Sequence, residues 1–172
     1  MKTVRGAWCV VSFVLAVALG APGRVVAQDD VLGIAIGASP AAVTIEDLDG
    51  RPVDLGQIIG KKPVLIEFWA TWCPLCAALF PRMEAAHARF GNQVEFVVVA
   101  VAVNQSQAGI KRHLSRHPMP FRILWDGNGR AVRAFQAPST SYVVVLDSAG
   151  KVAYTGLGAD QDIEAAVRRV AR

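Results

Sequence analysis

The sequence predicts an α/β domain, a mixed sheet with helices on both of its faces. Two patterns carry this reading. Continuous apolar runs at Val64–Trp69 and Val94–Val103 have the character of strands buried on both sides. They alternate with segments of helical spacing, and the chain closes with a hairpin turn followed by an amphipathic helix. Hydrophobic residues make up 53% of the 172 positions and charged residues only 19%, which excludes an intrinsically disordered chain. With three cysteines, a disulfide-dense small scaffold is excluded as well.

The first segment is read apart from the domain. Lys2 and Arg5 precede an apolar run from Ala7 to Leu19, and Gly20, Pro22 and Gly23 break it. Val25-Val26-Ala27 places small residues before Gln28, so residues 1–27 are expected to be a cleaved signal peptide. An uncleaved membrane anchor is the alternative, although 13 residues fall short of the roughly 20 that a span requires. Cleavage removes three of the 18 basic residues and none of the 14 acidic ones, leaving 15 against 14 and a net charge of +1. A near-neutral domain with no basic stripe gives no reason to expect nucleic acid. No later run is long enough to span a membrane. Secretion across an inner membrane, into a periplasm, is the expected localisation.

The remaining elements follow in order. Residues 28–42 form a small, apolar lead-in. Val43–Glu46 and Pro52–Leu55 are expected strands around an Asp49-Gly50 turn. Val64–Trp69 is a buried strand interrupted only by Glu67. Cys73–Phe90 is a helix, with Cys76, Leu79, Phe80, Met83, Ala86, His87 and Phe90 near one side, and Pro81 is expected to kink it. Val94–Val103 is a strand. Ser106–His117 is a helix with Ser106 as its cap. Phe121–Trp125 is a strand, followed by a turn and a short helix to Phe135. Tyr142–Leu146 and Val152–Thr155 form a hairpin through Asp147–Gly150, and Asp160 or Asp162 caps a last helix to Val170.

Chemistry concentrates between Glu67 and Cys76. Removal of Cys9 with the signal leaves two cysteines, Cys73 and Cys76, in one Cys-Pro-Leu-Cys run. A bridge across two residues constrains the unfolded chain little, so these thiols are expected to act rather than to staple. A helix starting at Cys73 presents a partial positive charge and free N–H groups to it, which favours the thiolate. Cys73 is then the attacking thiol, and Cys76, deeper in the helix, resolves the mixed disulfide. Pro74 suits the first helical turn, where its missing N–H costs nothing. Ala77 follows the second cysteine where haem attachment would need histidine. Zinc would need further ligands, and His113 and His117, which share a helix face, read as solvated surface. No metal or small-molecule cofactor is expected.

The run Glu-Phe-Trp-Ala-Thr-Trp-Cys-Pro-Leu-Cys resembles the active-site segment of thioredoxin-fold proteins, and most closely the secreted TlpA/ResA-like branch. Gly60–Val64, Pro81 and the Asp147–Lys151 hairpin match that branch too, over about residues 37–170. The resemblance implies a thioredoxin-like domain over residues 43–172, with a central mixed four- to five-stranded sheet and an extra N-terminal hairpin. It implies thiol–disulfide exchange outside the cytoplasm by a monomer, with protein disulfides or dithiols as substrates and a separate electron donor.

It also implies that Glu67 is the buried acid that handles the proton of the resolving thiol. A strand-edge glutamate reaching solvent is the alternative. Trp72 and Pro74 are expected beside the substrate. The family's cis-proline position falls on Ser141, so Thr140-Ser141 is the expected substrate-facing loop, with a trans peptide, and Ser141→Pro is expected to tighten substrate handling. This departure keeps a second reading open: a binding or metal-delivery module of the same fold with weak exchange.

Overall fold

The computed structural model describes residues 32–171. The signal-peptide expectation for residues 1–27 lies outside the described residues. Seven strands form one sheet in the order β2-β1-β5-β4-β3-β6-β7. They are β1 (Thr44–Asp47), β2 (Pro52–Asp54), β3 (Val64–Trp69), β4 (Glu95–Val101), β5 (Arg122–Asp126), β6 (Tyr142–Leu146) and β7 (Val152–Leu157). Four helices accompany them: α1 (Pro74–Phe90), α2 (Gln107–Leu114), α3 (Arg130–Ala134) and α4 (Ile163–Arg168). Among the described residues, no helix is long and apolar enough to cross a membrane.

The sheet is larger than the four or five strands expected. The N-terminal hairpin is not a separate appendage: β1 pairs antiparallel with β5, Glu46 opposite Trp125 and Asp47 opposite Leu124, and extends the sheet outward. Five strands remain as the central unit. β3, β4 and β5 run parallel, and β6 is antiparallel to β3.

The order in which the strands are laid down sets the layers. The β3-α1-β4 and β4-α2-β5 crossovers advance in the same direction across the sheet, so right-handed connections place α1 and α2 on one face. α4 packs against α1 on that face. The opposite face carries α3. Phe68 meets Phe135, just past α3, at 5.7 Å between ring centroids, while its neighbour Trp69 meets His113 of α2 at 5.5 Å. Alternation along β3 thus divides the two layers.

β3 is buried at every position, and so is β6 beside it. Continuous β-branched and aromatic runs suit strands covered on both sides. The lead-in closes the α3 face. The Tyr142 hydroxyl donates to the carbonyl of Leu32 and accepts the N–H of Ile34, each at 3.1 Å. Gly33 adopts φ 73° against that ring, and a Cβ there would overlap the Tyr142 hydroxyl.

Candidate active site

Cys73 and Cys76 stand where β3 hands the chain to α1. Ala70, Thr71 and Trp72 form the connecting loop, and two side chains tether it. The Thr71 N–H donates to Gln105 Oε1 at 2.9 Å, and Gln105 Nε2 donates back to the carbonyl of Val101 at 2.6 Å. Trp72 Nε1 donates to the carbonyl of Val103 at 2.7 Å. The loop is therefore braced by the segment leaving β4, one strand away. Gln105 carries no sequence pattern that marks it, because its role depends on a strand pairing distant in sequence.

Cys73 is the N-cap of α1, in extended conformation, and Pro74 occupies the first turn. The Cys73 sulfur sits 3.1 Å from the N–H of Cys76, the place where a Ser or Asp cap oxygen ordinarily accepts. A thiolate there would gain that hydrogen bond and the positive end of a 17-residue helix. The two cysteines are disulfide-bonded, with Cα atoms 5.3 Å apart. Cys73 is 6% exposed and Cys76 1%, so the sulfur at the helix start is the more accessible of the two. Trp72, Leu75 and Val103 are the large apolar side chains left in solvent around the pair, at 47%, 49% and 55% exposure. Pro74 is exposed among them.

Glu67 lies at the centre of β3, between Val98 of β4 and Val143 of β6. It is 3% exposed, which excludes the strand-edge alternative. Its place two residues before Trp69 puts it on the face that α1 covers, the face of Cys76. Oε1 is buried with no hydrogen-bond partner among the described residues. Loss of hydration with no compensating donor penalises the charged form, and burial pushes the carboxyl up from 4.5 to about 8.

The Thr140-Ser141 loop departs from what the sequence suggested. All peptide bonds among the described residues are trans, in line with the expectation for Ser141. Yet Ser141 does not offer an open backbone to a substrate. It is fully buried at φ 62°, its N–H donates to the carbonyl of Phe68 at 2.7 Å, and its hydroxyl donates to the carbonyl of Gly158 at 3.1 Å. Its own carbonyl accepts from the Gly158 N–H and from Gln161 Nε2, both at 3.1 Å. Gln161, buried and also bonded to Gly158, is the residue that sequence reasoning missed here. The expectation that Ser141→Pro would improve function does not survive this geometry. Proline fixes φ near −65° and has no N–H to donate. Thr140 is half-buried at the edge of the same loop.

Among the described residues, no three His, Cys, Asp or Glu side chains gather closely enough to hold a metal ion. A groove of about 480 Å³ opens beside Cys73 instead, between α1 and α2. Trp69, Cys73, Phe80, His113, Arg116 and Met119 line it. His113 lies 4.8 Å from His117, ring to ring, and meets Trp69 edge-on at 5.5 Å. Of the pair that reads as solvated surface in the sequence, His117 is exposed as expected and His113 is half-buried, and both line this groove.

Comparison with known proteins places this arrangement. The Redoxin family matches residues 36–170. The thiol-disulfide oxidoreductase ResA of Halalkalibacterium halodurans is 28% identical over 123 residues, covering 70% of this chain and 68% of that protein. ResA of Bacillus subtilis is 28% identical over 120 residues, covering 69% of this chain and 65% of that one, so the chain spans about two thirds of these relatives. Among solved structures, the thioredoxin domain of an oxidoreductase from Bacteroides vulgatus superposes with a TM-score of 0.69 at 20% identity, over 81% of this chain and 99% of that one. A secreted disulfide oxidoreductase of Mycobacterium tuberculosis, described as homologous to E. coli DsbE, gives 0.63 at 23% identity, over 74% and 95%. These structures establish the thioredoxin-like fold. With residues 36–170 matched and the Cys-Pro-Leu-Cys pair at the head of α1, the chain belongs to the Redoxin family, as a ResA-like thiol–disulfide oxidoreductase.

Proposed function

We propose that this oxidoreductase works outside the cytoplasm and reduces disulfides in protein substrates. The signal-like segment at residues 1–27 supports the location. The observation that carries the chemistry is the Cys73 sulfur at the N-cap of α1, receiving the N–H of a more buried Cys76.

In the reduced protein, the Cys73 thiolate attacks one sulfur of the substrate disulfide. A Cys73–substrate bond forms, the substrate's S–S bond breaks, and its second sulfur leaves as a thiolate that takes a proton from water. Cys76 then loses its proton and attacks Cys73. The Cys73–Cys76 bond forms and the first substrate sulfur is released. Two electrons pass from protein to substrate, and a separate dithiol donor must restore the Cys73–Cys76 pair. Glu67 is the group we assign to accept the Cys76 proton, in its ionised form, which is the minor one at neutral pH and grows as pH rises toward 8. Its carboxyl, near 8, is matched to a thiol of ordinary pKa about 8.5, as efficient proton transfer requires. Trp72, Pro74 and Thr140 border the path by which the substrate chain approaches, and the fully buried Ser141 holds that loop from within.

The test is reduction of insulin disulfides by the reduced protein. Wild type should turn over with a dithiol donor, and Cys73→Ser should be inert. Cys76→Ser should perform the first attack and stop as a mixed disulfide visible by mass spectrometry. Turnover by Cys73→Ser would contradict the assignment.

A further inference from the structure

The groove between α1 and α2 is charged on one side only. Cys73 stands at its rim, and its ionisable wall residues beyond that thiol are His113, Arg116 and His117. A polar hollow of about 450 Å³ adjoins it, sharing Thr71, His113 and Arg116 and adding Arg112. Neither contains an Asp or Glu. Elsewhere the cations are often matched: Arg51, Lys62, Arg82, Arg89, Lys111, Arg122 and Arg168 each meet a carboxylate within 4.0 Å. Among the described residues, Arg112 and Arg116 meet none; Lys61, Arg130, Arg133, Lys151 and Arg169 meet none either, but of these seven Arg112 and Arg116 are the two that line the hollows beside Cys73. Basic residues in the last turn of α2 do offset its dipole, which accounts for Lys111 and Arg112. Arg116 lies beyond Leu114, the end of that helix, and its guanidinium reaches back toward the Arg112 carbonyl at 3.4 Å. Behind it, His113 contacts both Trp69 and His117.

We infer that this groove selects substrates that carry an acidic residue close to the reactive cysteine, with the carboxylate received by Arg116 and Arg112 while the peptide backbone lies over Trp69 and Met119. The inference rests on the exchange reading above and names its substrate class. Charge complementarity commits it to an acidic peptide segment: both guanidinium groups are exposed, so an acidic side chain gains ion-pair contacts there that a neutral or basic one lacks. Arginine suits the role, as its planar fork meets a carboxylate through two parallel N–H donors. The chemistry remains the exchange already described. The groove changes which disulfide reaches Cys73.

The experiment uses two synthetic disulfide-bridged peptides, identical except for Glu or Gln three residues to either side of the attacked cysteine. Reduction is followed as kcat/KM at low and at high salt. Wild type should favour the Glu peptide by about three- to tenfold, the scale of one or two partly screened charge contacts. The preference should shrink at high salt. It should collapse to about one in Arg112→Gln/Arg116→Gln and return largely in Arg112→Lys/Arg116→Lys. Equal rates for the two peptides in wild type would overturn the inference and leave the exchange reading standing. A Glu preference that persists in the Gln double variant would overturn it too. Failure to reduce either peptide would overturn the exchange reading and this inference with it.

Discussion

Glu67→Gln should make the oxidised protein more stable at neutral and alkaline pH, and it should remove most of the fall in stability as pH rises. In the folded state the carboxyl keeps its proton up to about 8, against 4.5 when hydrated. Between those values the folded protein holds a proton that the unfolded chain has released. Stability therefore declines with rising pH across this window, by up to about 1.4 kcal/mol per unit. Summed to pH 8, the loss is on the order of 4 kcal/mol, a large share of a typical domain's 5–15 kcal/mol. Glutamine preserves the shape and cannot ionise, so its denaturation midpoint should converge with wild type near pH 4.5 and exceed it increasingly toward pH 8. Parallel pH profiles for the two proteins would contradict a protonated, unpartnered Glu67. In single-turnover exchange the same variant should slow the Cys76 step and spare the first attack. A loss of stability retained for a proton-transfer function would explain an unmatched carboxyl in the middle of the sheet.

Ser141→Pro should destabilise the fold by about 3 kcal/mol or more. Ser141 sits at φ 62°, which proline cannot adopt, and its N–H is spent on the carbonyl of Phe68 at 2.7 Å. The change also pulls on Gly158 and Gln161, which are bonded to the Ser141 hydroxyl and carbonyl. Ser141→Gly is the control. It keeps the N–H and tolerates the positive φ, losing only the hydroxyl contact, so it should cost about 1 kcal/mol. Urea denaturation separates the two. A proline variant as stable as the glycine variant would show that the loop can adopt another backbone without cost.

The parts of this molecule that were legible in the sequence are those fixed by local pattern. β3 and β6 are found at their expected bounds, because each is a short run of strand-forming apolar residues, broken only by Glu67 in β3, with loop residues at its edges. α1 begins one residue after Cys73, as a cap followed by proline dictates. α2 stops at Leu114 rather than His117. Pro118 disfavours helical geometry at His117, and Ser115 turns its hydroxyl to the Arg112 carbonyl. What the sequence did not reveal depends on contacts between distant segments. The union of the hairpin with the sheet rests on Glu46 and Asp47 meeting Trp125 and Leu124. The positive φ of Ser141 is imposed by Phe68, Gly158 and Gln161. Arg116 is exposed, and only the α2 crossover places it on the same groove as Cys73. The dithiol pair and its buried acid were legible because their chemistry is written in one short run. The groove that serves them was not, because four elements build it.

The exchange chemistry depends on Cys73 being the thiol that the helix start activates. Reduced protein should be alkylated with iodoacetamide across pH 5 to 9, with each cysteine quantified by peptide mass spectrometry. Cys73 should react first at every pH, with a midpoint below the ~8.5 of a free thiol, while Cys76 stays largely unmodified until the protein is unfolded. Equal rates at the two sites, or faster modification of Cys76, would contradict it.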